Sequence, residues 1–339
     1  MRHFTGIVLL CLLLLAGGRL QAQGLHFSQF NQAPLLLSPA NCGLLPDNNY
    51  RVGAQYRNQW QSIPATYNTF SAFGDFQLLH DYDHSNWLGI GAALFTDKAG
   101  AGDLSLTSFQ LNVAYHLQIG SYNMLSVGLG MAYAQRSVDF SKLTFDAQWD
   151  GFSFDRNLAN QENYSFEKTG YPDIAAGINY AFFPSEDAYF RVGLSVLHVN
   201  QPKESFYHTD NRIGMRPVAT VDALFQLNTS WIAEVSGYYT QQKKSHELVY
   251  GAQFSCNVTP QEHMPNILIL GVYHRLDDAI IPVVGFEWNN IRFQGSMDIT
   301  TSGLSPANKG NGAMEFSVVF KGLYHKQGRD MSGYNCPRF

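Results

Sequence analysis

The chain has 339 residues, a formal net charge of −5, and only 14% charged residues against another 14% aromatic ones. That acidic balance, without basic runs, gives no surface for nucleic acid. No apolar stretch beyond the N-terminus is long enough for a helical membrane span.

The chain opens on an export signal. Arg2 supplies the positive start, Ile7–Ala16 an apolar core, and Leu20-Gln21-Ala22 a small-residue cleavage site. Cys11 lies inside the apolar run and not at its end, which argues against a lipid anchor. Residues 1–22 are therefore expected to be removed. Export without helical spans leaves two classes, a soluble secreted β protein or an outer-membrane barrel, and low charge with many Tyr and Phe favours the barrel. No Pro/Ser/Gly-rich linker divides the chain.

Period-2 alternation predicts strands at about 50–59, 67–79, 87–97, 105–117, 124–136, 171–183, 188–199, 217–228, 231–241, 248–257, 266–275, 279–288, 291–299 and 313–321. The last is the clearest, with Met314, Phe316, Val318 and Phe320 on one face and Ala313, Glu315, Ser317 and Lys321 on the other. Val319 breaks that pattern. Fourteen strands, mostly of bilayer-crossing length, suit an all-β transmembrane antiparallel barrel. Connections after odd strands include the long 137–170, 200–216 and 300–312, whereas those after even strands are mostly tight. Residues 276–278 and 258–265 run against the rule. This asymmetry predicts long loops outside and both termini periplasmic. A periplasmic segment 23–49, a barrel 50–321 and a periplasmic tail 322–339 follow. Trp87, Trp231 and Trp288 then fall at periplasmic strand ends, where an aromatic girdle would sit.

Several stretches resemble the PorP/SprF family of outer-membrane proteins of the type IX secretion system in Bacteroidota. They are His26-Phe27-Ser28-Gln29-Phe30, Leu37-Ser38-Pro39-Ala40, Arg51-Val52-Gly53 with Tyr56-Arg57-Asn58-Gln59-Trp60, and Asp139-Phe140-Ser141-Lys142-Leu143-Thr144-Phe145. Further on come Val192-Gly193-Leu194-Ser195, His198, Asn200-Gln201-Pro202, Asp278-Ala279-Ile280-Ile281-Pro282 and the closing Cys336-Pro337-Arg338-Phe339. Asn31-Gln32-Ala33, Asn41-Cys42 and Pro172 depart from the pattern. The resemblance implies a fourteen-stranded barrel of the fatty-acid-transporter type. It also implies a role in exporting or anchoring cargo that carries a type IX C-terminal signal, and contact with periplasmic components of that machine.

Chemistry finds little support. The eleven histidines are dispersed, and no GxSxG, HExxH, CxxC or phosphate-cradling glycine pattern occurs. No catalytic site, cofactor or metal is expected. Gly89-Ile90-Gly91 and Gly128-Leu129-Gly130 read as strand glycines that ease tilt and close packing. The lumen-facing charges Arg57, Asp75, Arg191, Asp222, Glu234, Glu287, Arg292, Asp298 and Glu315 either line a channel or pair across the lumen, and pairing is the expectation.

Two binding surfaces and one covalent link are expected. Phe140, Phe145, Trp149, Phe152, Phe154, Tyr164 and Phe166 in the long 137–170 connection form a candidate cargo-binding loop; the same aromatics could instead fold inward as a plug, or the strands extend past the membrane. Phe27, Gln29, Phe30, Arg338 and Phe339 are candidate periplasmic contacts. Of the three cysteines beyond the signal, Cys42 and Cys336 are the candidate disulfide, with Cys256 as a rival partner. Expected partners are secreted cargo, periplasmic secretion components, membrane lipid and lipopolysaccharide. The alternative function is a channel for a small hydrophobic solute.

Overall fold

The computed structural model describes residues 27–45, 48–60, 66–79, 86–100, 102–155, 157–161, 167–207, 209–259 and 266–324. Fourteen strands close into one antiparallel barrel, each paired with its neighbours in sequence and the last with the first. They are β1 (Tyr50–Gln59), β2 (Tyr67–Leu78), β3 (Asn86–Ala99), β4 (Leu104–Ile119), β5 (Asn123–Ser137), β6 (Lys168–Ser185) and β7 (Ala188–Leu197). The rest are β8 (Arg216–Gln226), β9 (Trp231–Gln242), β10 (Ser245–Asn257), β11 (Ile267–Arg275), β12 (Ala279–Trp288), β13 (Ile291–Thr300) and β14 (Asn311–Gly322). No helix among the described residues is long and apolar enough to cross a membrane.

The alternation that marks these strands in the sequence becomes two surfaces. Met314, Phe316, Val318 and Phe320 of β14 are exposed on the outside, as are Phe109, Leu111, Val113 and Tyr115 of β4. In lipid this apolar belt is solvated by acyl chains, and closure leaves no strand edge unpaired across the membrane. Glu315, Ser317, Gln294, Ser296 and Asp298 are buried inside. Register then sets charges opposite each other on adjacent strands: Arg57 faces Glu315, Arg51 faces Asp75, Arg191 faces Asp222, and Glu287 faces Arg292. Directly opposite, unlike charges on one face stabilise the pairing.

The two rims differ as their sequences require. One carries the long connections 138–167, 198–215 and 301–310, the last holding a helical turn at Ser305–Asn308. The other carries short turns, such as Asn289-Asn290, where both residues take positive φ (50° and 64°) as a two-residue hairpin demands. Trp231 and Trp288 face outward near this short-turn rim. Trp87 corrects the girdle expectation. It points into the lumen, stacked on His116 with ring centroids 5.0 Å apart, because position 87 is in phase with the inward face of β3.

The N-terminal segment is also not where its place in the sequence suggests. Residues 27–45 of the expected periplasmic stretch 23–49 lie inside the barrel, as a strap of three short 3-10 turns at Phe30–Gln32, Pro34–Leu36 and Pro39–Asn41. The physical reason is apolar content: Phe27, Phe30, Leu35, Leu44 and Leu45 need an interior, and the lumen supplies one.

Candidate functional site

The strap runs from the long-loop half of the lumen at Phe27 to the short-turn rim at Leu45. It is held at three levels.

At the upper level, buried charge meets backbone. Glu315 accepts the N–H groups of Ser28 and Gln29 at 2.5 and 2.8 Å. Arg57 bridges Glu315 (2.5 Å) and Asp298 (2.9 Å), and Arg275 reaches Asp298 at 2.8 Å. Both guanidinium groups donate to the Ser28 hydroxyl, which donates in turn to Asp298 at 2.6 Å. Two cations and two anions enclose one serine, so no charge is left uncompensated. Removing one partner of such a buried set costs about 3–5 kcal/mol. Just beyond, Phe30 is 3% exposed and sits edge-on to Tyr238 and Tyr273 at 4.8 and 5.7 Å. Burying a side chain of that size contributes roughly 1.5–3 kcal/mol.

At the middle level, the strap presses against the wall where the wall has no side chains. A Cβ on Gly128 would lie 2.4 Å from the Ala40 nitrogen, and one on Gly89 would lie 2.0 Å from the Cys42 carbonyl oxygen. These glycines were legible as close-packing positions; what they pack against is the strap. Asn41 accepts from Asn179 at 3.0 Å and from Arg191 at 3.2 Å. The Cys42 carbonyl accepts from His116 at 2.8 Å.

At the lower level, Gly43 donates to Asp75 at 2.8 Å and accepts from Trp87 at 2.9 Å. Leu44 then packs with Trp87, Met124, Ala181 and Phe183. Val319, which breaks the alternation of β14, belongs to a lumen cluster with Leu35, Cys42, Phe73, Ala93 and Ala114. There the apolar side chains of the strap meet apolar side chains of the wall.

Above the strap, at the long-loop end, a recess of about 400 Å³ remains. Phe27, Phe30, Leu36 and Leu37 of the strap contribute to its lining, together with inward residues near the upper ends of β2–β9.

The expected sites fare unequally. Phe27, Gln29 and Phe30 are buried in the lumen and cannot be periplasmic contacts. Cys42 corrects the expected pairing with Cys336: it is a free thiol at 0% exposure, its Sγ directed at the Asn112 carbonyl 3.6 Å away. Cys336, Arg338 and Phe339 lie outside the described residues. In the 138–167 connection, Tyr164 and Phe166 also lie outside them, and Phe140 and Phe145 are half-buried. Trp149 and Phe154 form a small bridge with rings 5.0 Å apart, and Phe152 at its tip is 93% exposed. The Asp150 carboxylate turns that tip by accepting the N–H groups of Phe152 and Ser153, both at 2.7 Å. Donation from Ser153, then from Phe152, holds its pKa below the usual carboxylate range. Arg275, which helps to hold the strap through Ser28 and Asp298, is a residue that reading the sequence missed. It sits at the end of β11 beside the turn Leu276–Asp278, where alternation gives no signal about facing.

A family model described as the type IX secretion system membrane protein PorP/SprF matches residues 20–320, nearly the whole chain. The chain belongs to the PorP/SprF family. No curated protein sequence matches it. Among solved structures, the PorP/SprF barrel is similar to the Ralstonia pickettii toluene transporter TbuX (11% identity, TM-score 0.55, covering 87% of this chain and 94% of that one). It is similar also to a deltaS2S3 mutant of the monoaromatic hydrocarbon channel TodX (9%, TM-score 0.52, 85% and 92%). A FadL homologue from Pseudomonas aeruginosa gives 9% identity and a TM-score of 0.50, over 86% and 94%. These likenesses establish the fold. This PorP/SprF protein is thus an outer-membrane β-barrel of the type IX secretion system, and its fourteen strands agree with the sequence reading.

Proposed function

We propose that this PorP/SprF protein acts by recognition rather than chemistry, holding or receiving specific secreted cargo at its long-loop rim. The observation that carries this reading is the strap. A lumen packed with the chain's own residues at three heights leaves the rims as the working surfaces. In this reading the long loops face outward, among lipopolysaccharide, and the short-turn rim and C-terminal tail face the periplasmic secretion components. The exposed aromatics Trp149, Phe152 and Phe154 stand on the cargo side and suit the centre of a protein interface. Arg338 and Phe339, outside the described residues, are the contacts proposed for the machine side. The alternative, a channel for a small hydrophobic solute, draws on the barrel fold and on the part-apolar lining of the recess. It would require the strap to move.

Affinity capture from native membranes with crosslinking tests the proposal. A secreted cargo protein and periplasmic type IX components are expected to co-purify. Recovery of neither, together with solute-dependent flux in liposomes, would favour the channel.

A further inference from the structure

The recess is closed below and chemically uneven. Its floor is the strap, so a guest that enters from the long loops meets Phe27, Phe30, Leu36 and Leu37 and stops. At about 400 Å³ it lies within the size range of ligand sites and matches a seat for one or two large side chains. Leu104, Leu106 and Ile213 give it apolar walls.

The polar groups around those walls are mostly matched to each other. Arg136 pairs with Glu204 at 2.9 Å, and Tyr171 donates to the same carboxylate at 2.9 Å. His198 contacts Asp173 at 2.7 Å. Asp97 differs. It accepts from the Thr69 hydroxyl at 2.6 Å and has no cationic group within ion-pair distance among the described residues. Asp97 stands opposite Leu106 in the β3–β4 register, so an anion lies directly beside an apolar wall.

A second observation points to the guest's backbone. β6 outruns β7: its pairing with β7 begins at Ala176, while its pairing with β5 continues to Lys168. At the start of that overhang the connection after β7 closes the wall: Val199 donates its N–H to the Ile174 carbonyl at 2.9 Å, and the Asn200 side chain donates to the Pro172 carbonyl at 2.8 Å and accepts from the Ile174 N–H at 3.1 Å. Beyond Pro172 the alternation of the ladder turns the N–H and C=O of Gly170 and Lys168 away from β5. Neither pair has a hydrogen-bond partner among the described residues. Tyr171, next to Gly170, lines the recess. Such an edge pairs with extended polypeptide and not with a small solute.

We infer that the recess seats an extended segment of the cargo polypeptide carrying a large apolar side chain next to a lysine or arginine, with the apolar group on the strap floor and the cation at Asp97. This rests on the cargo-binding reading above and names the chemistry it would recognise.

The test uses the full barrel in lipid nanodiscs. The probes are two dye-labelled synthetic hexapeptides, Gly-Lys-Phe-Lys-Phe-Gly and its Glu-for-Lys counterpart, read by fluorescence anisotropy, with toluene as a competing apolar solute. The lysine peptide is expected to bind saturably and at least tenfold more tightly than the glutamate peptide. Asp97→Asn, and independently Leu106→Gln, should each weaken it about tenfold, in proteins whose heat-modifiable gel mobility confirms a folded barrel. Equal binding of the two peptides, or indifference to D97N, overturns the inference. So does displacement by toluene together with indifference to the peptide's charge, which marks a small-solute site. Capture from native membranes in the D97N background separates the two levels. Loss of cargo with periplasmic components retained supports the inference. Cargo retained at wild-type yield overturns it and leaves the proposed function standing. Absence of both cargo and components from wild-type captures overturns the function and, with it, the cargo as guest.

Discussion

Asp75 serves two partners at once. Its carboxylate takes the Arg51 guanidinium at 2.7 and 3.0 Å and the Gly43 N–H at 2.8 Å, so one residue ties β1 to β2 and the strap to both. Replacement by alanine leaves a cation 12% exposed and a backbone donor orphaned, a cost of about 3–5 kcal/mol. Two neighbours could soften this, because Arg51 lies 5.5 Å from the Phe73 ring centroid and Trp87 still holds the Gly43 carbonyl. Those contacts are weaker than the pair they would replace. Cys42, adjacent to Gly43 and fully buried, reports the outcome. In the wild type it is expected to resist a maleimide. In Asp75→Ala its labelling rate should rise at least tenfold, with outward-facing Cys256 as the internal reference in peptide mapping. An unchanged rate would show that the strap is held without this carboxylate.

At the scale of elements, what the sequence discloses depends on period. Strands declare themselves because lipid outside and polar groups inside impose strict alternation; Asp222 and Glu287 even reveal their partners once register is known. The strap has no period. Its Pro34, Pro39 and three short turns break any alternation, and only its apolar residues betray an interior position, which the same sequence explains equally well as a periplasmic protein contact. Trp87 misled for a related reason: its position along the strand suggests a rim girdle, and only its phase with Gly89 and Gly91 places it inside. The recess needs residues from eight strands, and no local signal could assemble it.

The loop tip is legible in part, since Trp149-Asp150-Gly151-Phe152 is a turn sequence flanked by aromatics. The Asp150 carboxylate is held below the ordinary pKa of about 3.9 by the N–H groups it accepts. Its contribution to the turn is therefore fully present above pH about 4 and fades as pH falls through the lower native value. Asp150→Ala should speed amide hydrogen exchange at Phe152 and Ser153 by roughly threefold to thirtyfold at neutral pH, the range for losing a capping carboxylate. Asp150→Asn should recover part of the protection. Identical exchange in all three proteins would remove Asp150 as the organiser of the exposed Phe152.

For the whole molecule, the question is whether the strap is part of the barrel's stability or a stopper in an independent pore. The wall closes without it: every strand has two hydrogen-bonded neighbours, and β1 meets β14 over ten register positions. The charge pairs Arg191–Asp222 and Arg292–Glu287 also form between wall residues alone. Strap removal would leave Tyr238, Tyr273, Phe73 and Phe183 facing an emptied lumen, which costs stability but leaves the ladder intact. Deletion of residues 27–45 should therefore yield a folded, heat-modifiable barrel of lowered thermal stability. In planar bilayers the wild type should show no steady conductance, because the lumen is filled at three heights, and the deletion should show a stable ohmic one. A wild type that already conducts would mean that the strap leaves the lumen at rest, and the solute-channel reading would gain what the recognition reading loses.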